Sequence, residues 1–536
     1  MMMLGGRKKK IENPYHQDNT FPNIPRILFI SLIFGVPIIS FLNRDYIEAA
    51  LFGIKSEYAL SSRSLHGPLS SQSSFSNDVD PNLKTMTFQF PDENEPRTFD
   101  AYVQPDVASF YKGNPPSTTI QEPRFKGLAG KFVNFSPDHL QLYWDDGREG
   151  MHIADLPPFQ AAGTATFPVH RFFFSKRNGD KKEVVHRVHI QPHQNLYIHD
   201  AFEEGHAKVE DLTGELLELY NLQKKNLYFA KEYRKFTGRD WLSFYPATKK
   251  PIYKMWNADY FGQQHWVTTT ETHFVLEPPE DLLTQMTHDE MFRDRIQHPD
   301  IRNLTEYRSK EPLLNMTMTV LSVSPRVFEV KSFLSQQEVD HIVHMATGMK
   351  LSLSTTSATD GKDATSNSKS RTSHNSWVGR ARSPIMDSIY ARAADLMRLD
   401  EALLRQRHKD EIPEIDHRSS NAEDLQLVHY ARSEEYTAHH DFTYPPIHSR
   451  GQPARWSTLL LYLNQGMEGG DTCFPKYVNA ETTGKLCVTP EIGKAVLFYD
   501  QLPDGNMDDF SQHAAEPVRK GEKWLINLWT WNPRFR

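Results

Sequence analysis

The chain has 536 residues, 38% of them hydrophobic and 12% aromatic, enough for buried cores, and at roughly 150 residues per domain its length points to about three domains. A formal charge of −7 is mild for this length and gives no reason to expect nucleic-acid binding. Two cysteines, Cys473 and Cys487, exclude a disulfide-dense scaffold and a cysteine-rich zinc module, and leave open one bridge or two buried thiols.

At the N-terminus an uncharged apolar run from Ile27 to Leu42 follows Arg7, Lys8, Lys9, Lys10 and Arg26. Sixteen residues rise about 24 Å as a helix, short of a hydrocarbon core of about 30 Å, a gap that a thinner early-secretory bilayer or flanking residues would close. The basic flank favours a cytoplasmic tail. The long preceding segment and the lack of an Ala-x-Ala site favour an uncleaved signal anchor over a cleaved signal peptide. The expectation is a tail over 1–25, a transmembrane helix over 26–43, and a single-pass protein of the endoplasmic reticulum or Golgi membrane with its bulk in the lumen. Sequons at Asn134, Asn303 and Asn315 agree with lumenal exposure. The serine-rich, aperiodic stretch from Leu60 to Asn82 predicts a flexible stalk, within 44–84.

Between Lys131 and Arg177 short apolar and aromatic runs, "KFVNFS", "LQLYWDDG", "EGMHIADLPP" and "TATFPVHRFFFSKR", are separated by Pro, Asp and Gly signals and predict strands of a small β-sandwich-like domain over 85–180. Their order resembles the β domain of the von Hippel–Lindau tumour suppressor, which would imply a binding module and a protein partner. His186, His189, His193, His199 and His206 follow; their spacings fit no recognised ligand pattern, so they read as exposed strand and loop histidines, with a second metal site as the alternative. Leu212–Tyr233 predicts a helix and Trp241–Leu276 predicts β structure, giving a mixed α/β connector over 181–319.

From 320 to 536 the signals sharpen. Ser335-x-x-Glu338 is a capping box opening one helix, and Ser383-Pro384 opens a second with Ile385, Ile389, Ala393 and Leu396 on one face. After Leu425 come the strand-like runs "LQLVHY", "STLLLYL", "GKAVLFY" and "WLINLWTW". Helices followed by many strands predict a jelly roll braced by helices, within an α+β chain.

The stretch "YTAHHDFTYPP" (436–446) lies in this strand series. On a strand His439 and Asp441 project to one face and His440 to the other. One histidine and one carboxylate supply two ligands of a 2-His-1-carboxylate triad, which leaves positions open on Fe(II). A later strand must add a histidine, and "SQHAAEPVRKGEKWLINLWTW" offers His513, followed ten residues later by Lys523 with "RKGE" as the turn of a hairpin. Lys523, Leu525, Asn527 and Trp529 then share a face. An inward lysine is costly without an anion, and a metal-chelating dicarboxylate would supply one.

These segments, in order "VLSVSPRVFEVKSFLSQQEVDHIV", "SRTSHNSWV", "LVHYARSEEYTAHHDF", "RWSTLLLYLNQGMEGGDTCFP" and "GKAVLFY…SQHAAEPVRKGEKW", resemble the catalytic domain of the collagen and plant-type prolyl 4-hydroxylases, Fe(II) and 2-oxoglutarate dioxygenases on a double-stranded β-helix. The resemblance implies His439, Asp441 and His513 as iron ligands, His440 as packing, and Lys523 as the partner of the far carboxylate of 2-oxoglutarate, assisted by Tyr430 and Thr472, with Trp529 lining the pocket. It also implies peptide contacts from Arg371, Ser373 and Arg455, for which Arg455 has an ion-pair alternative and Trp529 a core alternative. The implied reaction is hydroxylation of proline in proline-rich or collagen-like proteins, with ascorbate as reductant after uncoupled turnover. Every implied catalytic residue lies in 320–536, so that segment alone is expected to keep some activity. The alternatives are a lysyl hydroxylase or other secretory-pathway 2-oxoglutarate oxygenase, or a membrane-tethered binding protein with a vestigial oxygenase fold.

Overall fold

Strand patterns dominate the chain, and in the computed structural model they assemble, with the three α-helices of the described residues, into one compact unit over residues 78–536. The structure describes residues 80–105, 123–178, 181–245, 253–275, 309, 311–354, 370–444, 454–478 and 485–535. The expected tail, membrane helix and most of the stalk lie outside these residues, as do Asn303 and the segments 355–369 and 445–453. Among the described residues no helix is long and apolar enough to cross a membrane.

A hairpin of β1 (Leu83–Phe88) and β2 (Arg97–Tyr102) comes first. Seven strands follow: β3 (Leu128–Phe135), β4 (Leu140–Trp144), β5 (Met151–Leu156), β6 (Ala161–Thr166), β7 (Arg171–Asn178), β8 (Lys181–His189) and β9 (Leu196–Asp200). They form two sheets, in the orders β6-β3-β9 and β5-β4-β7-β8, around a core that includes Phe132, Leu142, Ala162, Phe174 and Val188. The sandwich thus extends past residue 180, because the histidine-rich span supplies its last two strands. Asn134 is not an exposed sequon. It is fully buried on β3, and its Nδ2 donates to the carbonyls of Asp138, Leu156 and Pro157 at 2.8–3.1 Å.

Helix α1 (Gly214–Thr237) stands where the sequence predicts it and packs Phe229 and Tyr233 against Phe88 and Phe99 of the hairpin. Among the described residues of Trp241–Leu276, the expected β structure is confined to β10 (Gln264–Thr269). Side chains replace a ladder there: Asn506 Oδ1 accepts from Leu242 N at 2.7 Å and Asn226 Oδ1 from Tyr245 N at 2.9 Å, so these buried amides are satisfied without strand pairing.

The C-terminal part contains β11 (Leu314–Ser322), β12 (Val327–Val330), α2 (Gln336–Thr347), β13 (Ser352–Leu353), β14 (His374–Val378), α3 (Pro384–Met397), β15 (Leu425–Tyr430), β16 (Tyr436–His439), β17 (Arg455–Tyr462), β18 (Glu468–Gly469), β19 (Thr472–Phe474), β20 (Leu486–Val488), β21 (Ala495–Tyr499), β22 (His513–Ala515), β23 (Val518–Lys520) and β24 (Lys523–Trp531). A nine-stranded sheet, β10-β11-β12-β21-β17-β24-β15-β14-β13, faces a four-stranded one, β16-β22-β19-β20. Val428, Tyr462, Phe474, Phe498 and Leu525 fill the space between them, while Ile526 and Leu528 on the other face of the large sheet share a core with α2 and α3. This is the jelly roll braced by helices. The "RKGE" segment is a corner and not a hairpin: β23 pairs with β18, and β24 pairs with β15 and β17, the chain turning at Gly521 with φ +77°. Cys473 and Cys487 are opposite each other on β19 and β20 and form a disulfide.

The capping box does more than open α2. Glu338 accepts from Ser335 N and Phe274 N and takes a bidentate ion pair from Arg392 of α3 at 2.7 and 2.9 Å, with both side chains wholly buried. Removing one partner of such a pair leaves an uncompensated buried charge. Glu338→Ala is expected to lower unfolding stability by about 3–5 kcal/mol, read as a lower denaturant midpoint; an unchanged midpoint would contradict this role.

Candidate active site

Strand alternation carries His439 and Asp441 to the same side at the end of β16, and His513 opens its neighbour β22, opposite His439 in register. His439 Nε2 lies 3.6 Å from Asp441 Oδ1, and His513 Nε2 lies 3.6 Å from Asp441 Oδ2. All three ligand atoms fall within 4.8 Å of one another. The other ring nitrogens are engaged: His439 Nδ1 donates to Thr437 O at 2.8 Å and His513 Nδ1 to Ser511 O at 3.1 Å. That fixes the tautomer and turns both Nε2 lone pairs into the site. Tyr436 stacks on His439 at 3.4 Å. His440 turns away, its Nε2 3.1 Å from Asp509 O.

Burial pushes both His439 and His513 below the usual imidazole range, holding the rings in the neutral, ligand-competent form. Burial alone would raise the Asp441 carboxyl, but the charge of His513 and His439 when protonated, the Arg455 guanidinium and the Trp529 hydrogen bond outweigh it and hold it below the usual carboxylate range. Asp441 Oδ2 accepts from Trp529 Nε1 and from Thr458 Oγ1, each at 2.9 Å. Thr458 Oγ1 also lies 3.0 Å from Asp500 Oδ2. Burial and the Asp441 charge push the Asp500 carboxyl well up, and the single Thr458 hydroxyl lies between the two carboxyl groups.

Lys523 starts β24 in the large sheet, opposite Tyr430 of β15, and is fully buried. Its Nζ donates to Thr472 Oγ1 at 3.3 Å and stands 5.4 and 5.6 Å from the ring centres of Tyr430 and Tyr462. It forms no ion pair among the described residues, and burial pushes it down to about 7. A buried ammonium without an anion is a place for one.

The expected peptide contacts are placed differently. Ser373 is fully buried, and its Oγ bonds Ser354 Oγ at 3.0 Å. Arg371 is buried as well, bonded to Gln426 and Ser373 and lying over the Tyr436 ring at 4.6 Å. Arg455 grips Glu423 at 2.7 and 3.1 Å and stacks on Trp529 at 3.8 Å. Tyr436, Thr458 and Asp500 escape sequence reasoning. A tyrosine three residues before His439 was a usable signal, whereas Thr458 and Asp500 show only as ordinary strand residues.

Two neutral imidazoles and one carboxylate suit Fe(II) with positions left open, and the buried Lys523 ammonium suits the far end of a chelating dicarboxylate. The 2OG-Fe(II) oxygenase superfamily matches residues 425–531. Probable prolyl 4-hydroxylase 3 of Arabidopsis thaliana is 30% identical over 222 residues, covering 39% of this chain and 70% of the relative. The chain belongs to the prolyl 4-hydroxylase family. It is an Fe(II)- and 2-oxoglutarate-dependent dioxygenase of that family. Probable prolyl 4-hydroxylase 8 of the same plant is also 30% identical, over 224 residues, covering 40% of this chain and 70% of the relative. A viral collagen prolyl hydroxylase from Paramecium Bursaria Chlorella virus-1, solved with 2OG, is 22% identical with a TM-score of 0.28, over 38% of this chain and 96% of that one.

Proposed function

We propose that this enzyme hydroxylates proline at C4 within extended, proline-rich or collagen-like peptides, and that His439, Asp441 and His513 hold its iron. The observation that carries the reading is the convergence of the three ligand atoms in a family member whose facing sheet buries an anion-seeking lysine. When bound, iron and 2-oxoglutarate supply the oxidative chemistry, in which O₂ is consumed, 2-oxoglutarate becomes succinate and CO₂, and a substrate C–H becomes C–OH.

The chain's own residues bind and orient. Lys523, with Thr472 and Tyr430, holds the far carboxylate of 2-oxoglutarate. Trp529 and Thr458 fix one oxygen of Asp441, leaving its other oxygen and the two histidine lone pairs to face the metal. Arg371 and Arg455 are committed to Gln426 and Glu423, so they shape the walls of the groove and do not reach freely for a peptide. Proline-rich segments favour polyproline II, which has no internal hydrogen bonds and leaves its backbone open to recognition. Binding a chain already so ordered lowers the entropic cost.

The basic N-terminal flank, the apolar run Ile27–Leu42 and the disulfide support a membrane-anchored enzyme of the secretory lumen. The test of substrate is mass spectrometry of proline-rich and lysine-containing peptides after incubation with Fe(II), 2-oxoglutarate and ascorbate. Hydroxyproline is expected; hydroxylysine as main product would move the enzyme to the lysyl type.

Lys523→Ala is expected to raise the KM for 2-oxoglutarate by roughly 30- to several-thousand-fold, the loss of about 2–5 kcal/mol from a desolvated charge pair. Affinity should also depend on pH. With its pKa near 7, Lys523 is already charged below that pH, and above it anion binding must take up a proton. The apparent Kd of 2-oxoglutarate should therefore be flat below about pH 7 and rise toward tenfold per unit above it. A pH-independent Kd in anaerobic titrations, or an unchanged KM in Lys523→Ala, would overturn the assignment.

A further inference from the structure

We propose that the N-terminal sandwich carries a second metal site, formed by His186, His199 and Glu204, that binds a borderline divalent transition ion such as Zn²⁺ and ties the two sheets together. The site lies outside the dioxygenase triad, and its argument does not depend on the proposed substrate.

His186 sits on β8, the edge strand of the four-stranded sheet, and His199 on β9, the edge strand of the three-stranded one. A bulge at Val185 shifts the β7–β8 register beside His186, the kind of irregularity that re-aims a side chain. The turn after β9 brings Glu204 back over both histidines. Asp200 Oδ1 accepts from Phe202 N and Glu203 N at 2.9 and 3.0 Å, and His206 N donates to Ala201 O at 2.8 Å, so the turn is fixed by its own hydrogen bonds.

Nδ1 of His186 lies 2.9 Å from Glu204 Oε1, and Nδ1 of His199 lies 3.5 Å from the same oxygen. Tetrahedral bonds of about 2.0–2.1 Å place neighbouring donor atoms about 3.3–3.4 Å apart, and the observed separations bracket that value. The ligand atoms of the three residues lie within 4.8 Å of one another.

His199 supplies a second, independent observation. Its side chain is 4% exposed, and its Nδ1 is buried and makes no hydrogen bond, although it faces the cluster. A buried ring nitrogen without a partner costs free energy unless something else satisfies it. Burial also holds the ring neutral, the form a metal requires. The exposed His206, with Nδ1 3.5 Å from Glu204 Oε2, or a water would complete four-coordination. The sequence reading of exposed strand and loop histidines therefore fails at His199.

The experiment uses the full chain, stripped with chelator and titrated with Zn²⁺ alone, with stoichiometry read by equilibrium dialysis and coordination read from Co²⁺ absorption. Wild type should bind two ions, and the His439→Ala/Asp441→Ala protein should keep one, with the intense visible bands of tetrahedral Co²⁺ and a Zn²⁺-dependent rise in Tm. Added to that protein, His186→Ala and Glu204→Gln, both at partly exposed positions, should weaken that ion by about tenfold or more and remove the Tm response, while the same substitutions in the wild-type chain should retain Fe(II)-dependent succinate release. The inference is overturned if the His439→Ala/Asp441→Ala protein binds no Zn²⁺, or if both His186→Ala and Glu204→Gln leave its binding unchanged.

Discussion

His439→Ala, Asp441→Ala and His513→Ala should each lower succinate formation by more than about a hundredfold, because even partners one shell further out cost about 10–100-fold. His440→Gln should keep most activity, since the His440 ring points away from the triad toward Asp509. The comparison reads the His439-His440-Asp441 run directly, because adjacent histidines of equal chemistry should behave oppositely. Iron content and succinate release measured on the four proteins check it. A folded but inactive His440→Gln beside an active His439→Ala would reverse the assignment.

The second large effect concerns the N-terminal part. The stretch 500–512 that leads into His513 is held from outside the jelly roll. Asp504 Oδ2 accepts from Tyr102 N and from Tyr233 Oη, each at 2.7 Å. Asn506 Oδ1 accepts from Leu242 N at 2.7 Å, and Asp509 Oδ1 from Ala129 N at 2.6 Å. Gly163 of β6 lies so close to Tyr444, just beyond Asp441, that a Cβ there would sit 1.6 Å from the ring. A fragment of residues 320–536 loses these partners, cuts β11 and removes β10. Three acceptors there lose four hydrogen bonds, worth about 1–3 kcal/mol each, comparable with the 5–15 kcal/mol that typically holds a protein together. The fragment is therefore expected to be unfolded or inactive, the reverse of what the placement of catalytic residues suggests by itself. Circular dichroism and succinate release on the fragment and on the full chain test it, and a folded, active fragment would show that the sandwich is dispensable.

What could be read from sequence was what local period encodes. Alternation alone placed His439 with Asp441 and turned His440 away, and it set Lys523, Leu525 and Trp529 on the inner face of β24. The capping box named Ser335 and Glu338 but could not show that Glu338 also holds Arg392, 54 residues on. Long-range partners leave no local trace. Nothing near Asn134 shows that its amide serves three carbonyls, and nothing near Asp500 shows that it backs Thr458 against Asp441. "RKGE" has the composition of a hairpin turn, yet β23 finds its partner in β18, because the corner carries the chain from one pairing to another. The histidine-rich span is illegible for the same reason: nothing in its spacing shows that His186 and His199 meet from the edges of two different sheets.

The proposed activity divides O₂ between 2-oxoglutarate and a prolyl residue at the site built by His439, Asp441, His513 and Lys523. Mass spectrometry after turnover under ¹⁸O₂ with a proline-rich peptide decides whether it does. One labelled oxygen in succinate and one in the C4 hydroxyl of proline, both lost in His513→Ala, is the predicted result. Unlabelled hydroxyproline, label on lysine, or succinate that persists without the triad would contradict it.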